Sequence, residues 1–310
     1  MVRILYLGSP SFAVYPLEAL VQAGYTICAV VTQPDRPAGR QRTLTAPPVK
    51  LAAQRLGLQV LQPPTLRDPA VIEQLAALRP NVGVVAAYGE ILRKAVLEIP
   101  PLGYLNIHPS LLPLHRGPTP VAGAILAGDT ETGMTIMKLD RGMDSGPILA
   151  QVIVPLSASA RAEALTDELF QLGAKLLLDV LPSYVNGAIE LRPQDHSQAS
   201  VTRLLTKEDG LVDWTLPALV IERRIRAFDP WPGAHTIWRG QNLKLLYAQV
   251  DATWSGDECP GTIVSADGPR IATGSGALIL NEVQPSGRRS MSGQAWVHGQ
   301  PGLVGQRLGA

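Results

Sequence analysis

What constrains this chain most is an alternation. Runs that are apolar on both faces, at residues 2–8, 25–33, 82–88, 103–108, 134–139 and 148–155, are separated by segments of helical periodicity. A strand apolar on both faces needs helices above and below it, so the pattern predicts a doubly wound, mostly parallel, Rossmann-like sheet. Between the first two strands, Ala13, Val14, Leu17, Leu20 and Val21 fall at helical spacing and Gly24 supplies the stop. Residues 47–57, 69–79, 90–98 and 118–127 read the same way, and a longer helix over about 161–185 closes the domain.

The texture then changes. Residues 186–206 ("NGAIELRPQDHSQASVTRLLT") are polar and aperiodic. After one helix around 215–227, the strings "GAHTIW", "LKLLYAQV", "GTIVSA", "RIATGS" and "ALILNEVQ" read as five short strands with glycine turns. That is the pattern of a small OB-like β-barrel. The expected organisation is α/β: residues 1–189 as a first domain, 190–206 as a linker and 207–310 as a smaller second domain.

A doubly wound sheet invites a nucleotide, but the motifs are missing. The first strand ends in "GSPSFA", one glycine where a dinucleotide fingerprint needs three. "GDTETGMT" has P-loop spacing with Met134 in the lysine's place, so no charge meets a phosphate. The formal net charge is +1, which leaves any nucleic-acid contact to a local patch. Cys28 and Cys259 have no metal-type spacing, and a reducing, cytoplasmic setting is expected. The five histidines form no ligand-like cluster, so no metal is expected, and the chain opens on a strand-like run with no span-length apolar segment.

One stretch departs from core composition. In "YLNIHPSLLPLHRG", Asn106 and His108 stand two apart on a strand that Pro109 then ends. Side chains at i and i+2 share a face, so the pair should project together at the carboxyl edge of the sheet, where ligands of such folds bind. A lone strand histidine is more often a core residue satisfied by a carbonyl. The pairing and the proline-glycine loop beyond it favour function. "KLDRGMDSGPIL" adds Asp140 and Asp144 in a loop leaving another strand, and loop aspartates are usually turn formers. An amide to meet an oxyanion, an imidazole to carry a proton and a carboxylate to orient and charge it would make an acyl- or formyl-transfer site. With no serine or cysteine in a nucleophile elbow, the nucleophile is expected to come from the substrate.

These strings resemble the folate-dependent formyltransferases. The resemblance implies that Asn106, His108 and Asp144 are catalytic. It implies that Ser110, Leu111, Leu112 and Pro113 contact the folate, with Tyr88, Ile91 and Leu92 of "AYGEIL" lining its pterin pocket. The "LH" at Leu114 and His115 varies from the more familiar basic residue followed by tyrosine or histidine, in that Leu114 replaces the basic residue. "TQPDRPAGR", "IRAFDPWPGAH" and "QPSGRRSMSG" resemble the members that act on aminoacylated tRNA. The activity this implies is formyl transfer from 10-formyltetrahydrofolate to the α-amine of methionine on initiator tRNA; a monomer is the default expectation. The alternative is a formyltransferase or formyl-folate hydrolase for a small-molecule amine. Arg36, Arg40 and Arg42, opposed in sequence only by Asp35, sit in a connection long for a βα loop and are the expected tRNA contacts. Arg223, Arg224 and Arg226 on one helix, with Arg288 and Arg289, form a second basic surface, and Trp231 of "DPWPG" is expected to pack as a structural corner.

Overall fold

The computed structural model describes residues 2–38, 43–298, 300 and 302–309, arranged as two compact units. The first comprises the chain through Pro120 together with Glu131–Pro155 and Thr166–Thr202; the second takes Val121–Thr130, Leu156–Leu165 and the chain from Arg203.

The main strands of the first unit are β1 (Arg3–Gly8), β2 (Thr26–Val31), β5 (Val60–Leu61), β6 (Val82–Ala86), β7 (Tyr104–His108), β8 (Glu131–Lys138) and β9 (Ile148–Pro155). They form one sheet in the order β5-β2-β1-β6-β7-β8-β9, while β3 (Arg36–Ala38) and β4 (Thr43–Thr45) make a separate two-stranded ribbon. From β5 to β7 every pairing is parallel, and all five residues of β6 are buried. Helix α1 (Val14–Gln22) buries Pro16, Leu17 and Leu20, and Gly24 follows at φ +80°, a left-handed turn cheap only for glycine. Helices α2 (Pro48–Arg55), α3 (Pro69–Ala77) and α5 (Pro120–Ala127) fall within the segments whose periodicity predicts them. Helix α6 (Ala162–Val185) buries Leu169, Phe170, Ala174, Leu177 and Leu181 at helical spacing. It crosses the sheet closely at Gly173, where a Cβ would sit 2.8 Å from Ile107 and 3.0 Å from Met134. Each fully buried Leu or Val side chain contributes about 1.5–3 kcal/mol relative to exposure, so these stripes dominate what holds the layers together.

Two departures matter for the site. β7 with β8, and β8 with β9, pair antiparallel, with Leu105 opposite Lys138 and His108 opposite Thr135. The loop after β8 therefore leaves at the end of the sheet where β7 begins. The helical pattern over 90–98 winds only as α4 (Lys94–Leu97). Upstream, the Glu90 carboxylate accepts from the Leu66 N–H at 3.1 Å and the Thr65 hydroxyl at 2.7 Å, which ties this stretch to its neighbour as a loop.

In the second unit, β10 (His235–Trp238), β11 (Gln241–Asp251), β14 (Ala277–Pro285), β13 (Arg270–Ala272) and β12 (Ile263–Ser265) form an antiparallel sheet in that order, with the short β15 (Met291–Ser292) on β14. These are the five expected strands, and among the described residues their path is open. Helix α7 (Ala218–Ala227) packs Ile221 and Ile225 into a core shared with Trp214, Trp238 and Trp296. Trp231 is not part of that core. It stands 59 % exposed between two cis prolines, because the corner turns its ring outward. Arg226 is likewise withdrawn from the expected basic surface: it is buried, paired with Glu222 at 2.6 Å, and donates to the Ala160 carbonyl. Arg223 lies over Gly128 and donates to the Ala127 carbonyl, whereas Arg288 and Arg289 are exposed.

Candidate active site

β7 supplies two of the expected residues in the expected way. Leu105 and Ile107 are buried on one side, and Asn106 and His108 on the other both meet Asp144. Asn106 Nδ2 donates to Asp144 Oδ1 at 3.2 Å, and His108 Nδ1 lies 3.7 Å from Asp144 Oδ2. The Gly117 N–H donates to the same Oδ2 at 2.8 Å. Asp144 does not arrive from the carboxyl end of a parallel strand. Its loop leaves antiparallel β8 and folds back over the sheet, with Asp144 in a left-handed backbone conformation at φ +47°. Asp140, the other loop aspartate, is exposed and accepts from the Gly142 N–H and the Ser145 hydroxyl, which is a turn former's work.

His108 is only 4 % exposed, and its Nε2 faces the His115 carbonyl at 3.1 Å, so Nε2 carries the hydrogen. Burial pushes the imidazole below its ordinary pKa of 6.5; the Asp144 carboxylate and the His115 carbonyl raise it, and burial prevails. The resting imidazole is therefore neutral, with an open lone pair on Nδ1 facing Asp144. That corrects the expectation that the carboxylate would charge it. His115, beside the departure at Leu114, lies against the site through a backbone carbonyl that any side chain would leave in place.

The segment after β7 is fixed by groups that sequence alone did not single out. Thr135 Oγ donates to the Ser110 carbonyl at 2.6 Å and accepts from the Leu112 N–H at 3.2 Å. Gln151 Nε2 donates to the Leu112 carbonyl at 2.9 Å and to Thr135 Oγ at 3.0 Å. Ser110 is fully buried and donates to the Leu114 carbonyl, while Leu111 lies over Gly133 of β8. Leu112 joins Met137 and Ile148 in an apolar cluster, and its peptide to Pro113 is cis. Tyr88 and Leu92 are buried in a separate cluster, and Ile91 is 76 % exposed. Leu139 packs against both clusters, so the 88–92 loop and the 110–113 turn share one wall. The Tyr88 hydroxyl is buried with no protein partner, and burial raises its pKa.

Arg36 begins the β3–β4 ribbon, where it stands opposite Thr45. Arg40 and Arg42 lie outside the described residues. Among the described residues Asp35 is held by Lys50 at 2.7 Å and by Gln62, while Arg36 donates to Gln33. Among the described residues, no group of three or more His, Cys, Asp or Glu is arranged to hold a metal, and no helix is long and apolar enough to cross a membrane.

The lip of this sheet thus brings together a buried imidazole, an amide donor and a carboxylate. Residues 2–181 match the formyl transferase family and residues 204–301 match the formyl transferase C-terminal domain. The chain belongs to the formyl transferase family and is a one-carbon transferase. Its relatives include the methionyl-tRNA formyltransferase of Chloroflexus aggregans, 69 % identical over 96 % of this chain and 97 % of that one. The methionyl-tRNA formyltransferase of a Roseiflexus species is 61 % identical over 99 % of this chain and 95 % of its own. Among solved structures, the sugar 3N-formyl transferase WlaRD superposes with a TM-score of 0.65 at 17 % identity, over 93 % of this chain and 99 % of that one. HypX from Aquifex aeolicus in complex with tetrahydrofolic acid superposes at 0.63 with 19 % identity, over 97 % of this chain and 48 % of that one. At such identities these two speak for the fold alone.

Proposed function

We propose that this chain moves the formyl group of 10-formyltetrahydrofolate onto the α-amine of methionine carried by initiator tRNA, with Asn106, His108 and Asp144 as the reacting centre. The observation that carries the assignment of roles is that one carboxylate, on Asp144, reaches both Asn106 and His108. The folate supplies an activated formyl carbon when bound. The residues that would hold it are the 110–113 turn and Tyr88, Ile91 and Leu92.

Each side chain then has a task. Asn106, half-buried with its amide hydrogens at the lip, donates toward the oxygen that gains negative charge as the amine attacks. A free α-amine titrates near ~8, so a sizeable neutral fraction is present to attack without a strong base. His108, neutral at rest, takes the amine's proton on Nδ1, and the resulting imidazolium is stabilised by Asp144 beside it. The same proton can then pass to the departing nitrogen. Asp144 thus serves twice, orienting Asn106 and supporting the charged imidazole.

Arg36, Arg40 and Arg42 are proposed to meet the acceptor end of the tRNA, a contact whose phosphate component weakens with salt. Arg288 and Arg289 extend the basic surface of the second unit. Domains at 1–189 and 207–310 joined through 190–206, a monomeric state and a cytoplasmic setting complete the proposal. A small-molecule amine is the less favoured substrate, because relatives at this identity over the full chain carry the tRNA activity in their names. The test is formylation by the purified protein of charged initiator tRNA, with elongator methionyl-tRNA and free methionine as controls. Rapid transfer to initiator alone is expected; equal transfer to free amines would replace the tRNA substrate with a small one.

A further inference from the structure

Segment 186–206 carries no apolar periodicity, yet Gln194 within it is only 6 % exposed. A buried amide must fill its hydrogen-bonding capacity, and Gln194 uses all of it. Its Nε2 donates to the carbonyl of Asp144 at 2.9 Å and to that of Gly146 at 2.7 Å. Its Oε1 accepts from Arg116 Nε at 3.1 Å and Nη2 at 2.7 Å. Turning the amide over would set oxygen against two carbonyls and nitrogen against a guanidinium, so only one orientation is tenable.

Arg116 stands between the two backbone groups that touch the site. Before it, the His115 carbonyl accepts from His108 Nε2 at 3.1 Å; after it, the Gly117 N–H donates to Asp144 Oδ2 at 2.8 Å. Arg116 is itself buried, places Nη2 3.0 Å from His196 Nδ1, and is bonded along its backbone to Ser200 and Thr202. The bonds run from His108 through the 115–117 turn, Arg116 and Gln194 to the Asp144 loop, whose carboxylate lies 3.7 Å from His108 Nδ1. Asp144 has φ +47°, a conformation that a residue other than glycine keeps only when its surroundings hold it there. Gln194 grips that residue's own carbonyl.

We infer that Gln194 is a positioning residue for the transfer: with Arg116 it holds the Asp144 loop against the 115–117 turn, so that one carboxylate faces both Asn106 and His108. This rests on Asp144 belonging to the reacting centre. Gln194 touches no reacting atom. Its effect passes through the charge beside His108, whose titratable neighbours are Asp144 and His115.

The test uses the full-length protein with Gln194→Leu, which removes both polar ends, and Gln194→Glu, which keeps acceptors for Arg116 and loses both donors. His108 is titrated by histidine NMR without substrates, and formylation is followed with 10-formyltetrahydrofolate and charged initiator tRNA. Displacing a catalytic group by about 1 Å can cost a hundredfold, so kcat is expected to fall about ten- to a hundredfold. KM for both substrates should change less than about threefold, since neither is bound by Gln194. The His108 titration should move to lower pH as the Asp144 charge withdraws. An unchanged kcat overturns the inference, and so does a lower kcat with the His108 titration unmoved, which would mark a loss of stability only. If Gln194→Leu does not fold, Gln194→Met, with a chain of similar length, gives the same comparison. Wild-type protein inactive on charged tRNA would remove the proposed reaction instead, and the His108 titrations would still decide the role of Gln194.

Discussion

Replacing Asn106 with alanine separates chemistry from stability. On the stability side, the substitution removes one hydrogen bond, the 3.2 Å contact to Asp144 Oδ1, and leaves that carboxylate its Gly117 N–H. Hydrogen bonds to charged groups contribute about 1.5–3 kcal/mol, and Asn106 is half-buried, so solvent replaces part of the loss and the lower figure applies. The backbone pairing of β7 with β6 and β8 is untouched. On the chemical side, loss of one donor to a developing oxyanion costs about 2.7–4 kcal/mol, a factor of about a hundred to a thousand in rate. Single-turnover formylation with saturating folate and charged initiator tRNA measures that factor, and chemical denaturation measures the other. The expected outcome is a folded protein, weakened by about 1–2 kcal/mol, whose transfer rate falls at least a hundredfold while folate binding is retained. A folded Asn106→Ala protein with a rate within about fivefold of wild type would show that the amide does not meet the oxyanion and would refute the assignment.

Other perturbations bear on different parts. Once kcat/KM is divided by the neutral fraction of the substrate amine, the remainder is expected to hold as pH falls through 6.5 and to drop only below it, because burial lowers the His108 pKa below 6.5. Asp144→Asn, which removes the charge that raises His108, should carry that limb to still lower pH. Stability changes with the same sign: the unfolded imidazole binds its proton first, so His108's contribution is complete above 6.5 and is lost as pH falls through the lowered native value, as acid denaturation of His108→Gln against wild type would reveal. Gly133→Ala would place a methyl 2.1 Å from the Val152 carbonyl and 2.5 Å from Leu111 Cδ2. Overpacking of this kind costs about 1–3 kcal/mol; weaker folate binding should accompany it, read by denaturation and folate titration. Arg36→Ala should weaken tRNA binding at low salt and reduce the slope of log K against log salt by about one, with folate affinity unchanged. An unaltered slope would take Arg36 out of phosphate contact.

The layers of this protein were legible because burial writes itself into composition. Strands covered on both faces, such as β6 with every residue buried, can only be apolar throughout, and α6 displays its buried side at helical spacing. Strand direction leaves no such mark. Nothing in "ETGMTIMK" distinguishes an antiparallel β8 from a parallel one, and that direction decides where the Asp144 loop must begin. Exposure was the other blind spot: Trp231 looked like a packing residue and faces solvent, while Arg226 looked like a surface charge and is buried with Glu222.

By itself, then, the amino-acid order determined the alternation of elements and the presence of Asn106 and His108 on one face of β7, since both arise from local periodicity. Whether Asp140 or Asp144 would join them, whether His108 would rest neutral, and which glutamine of a polar stretch would be buried against that aspartate were settled only in three dimensions. Those outcomes depend on distances between residues remote in the chain and on the loss of water around them, and neither is recorded in the neighbours of any one residue.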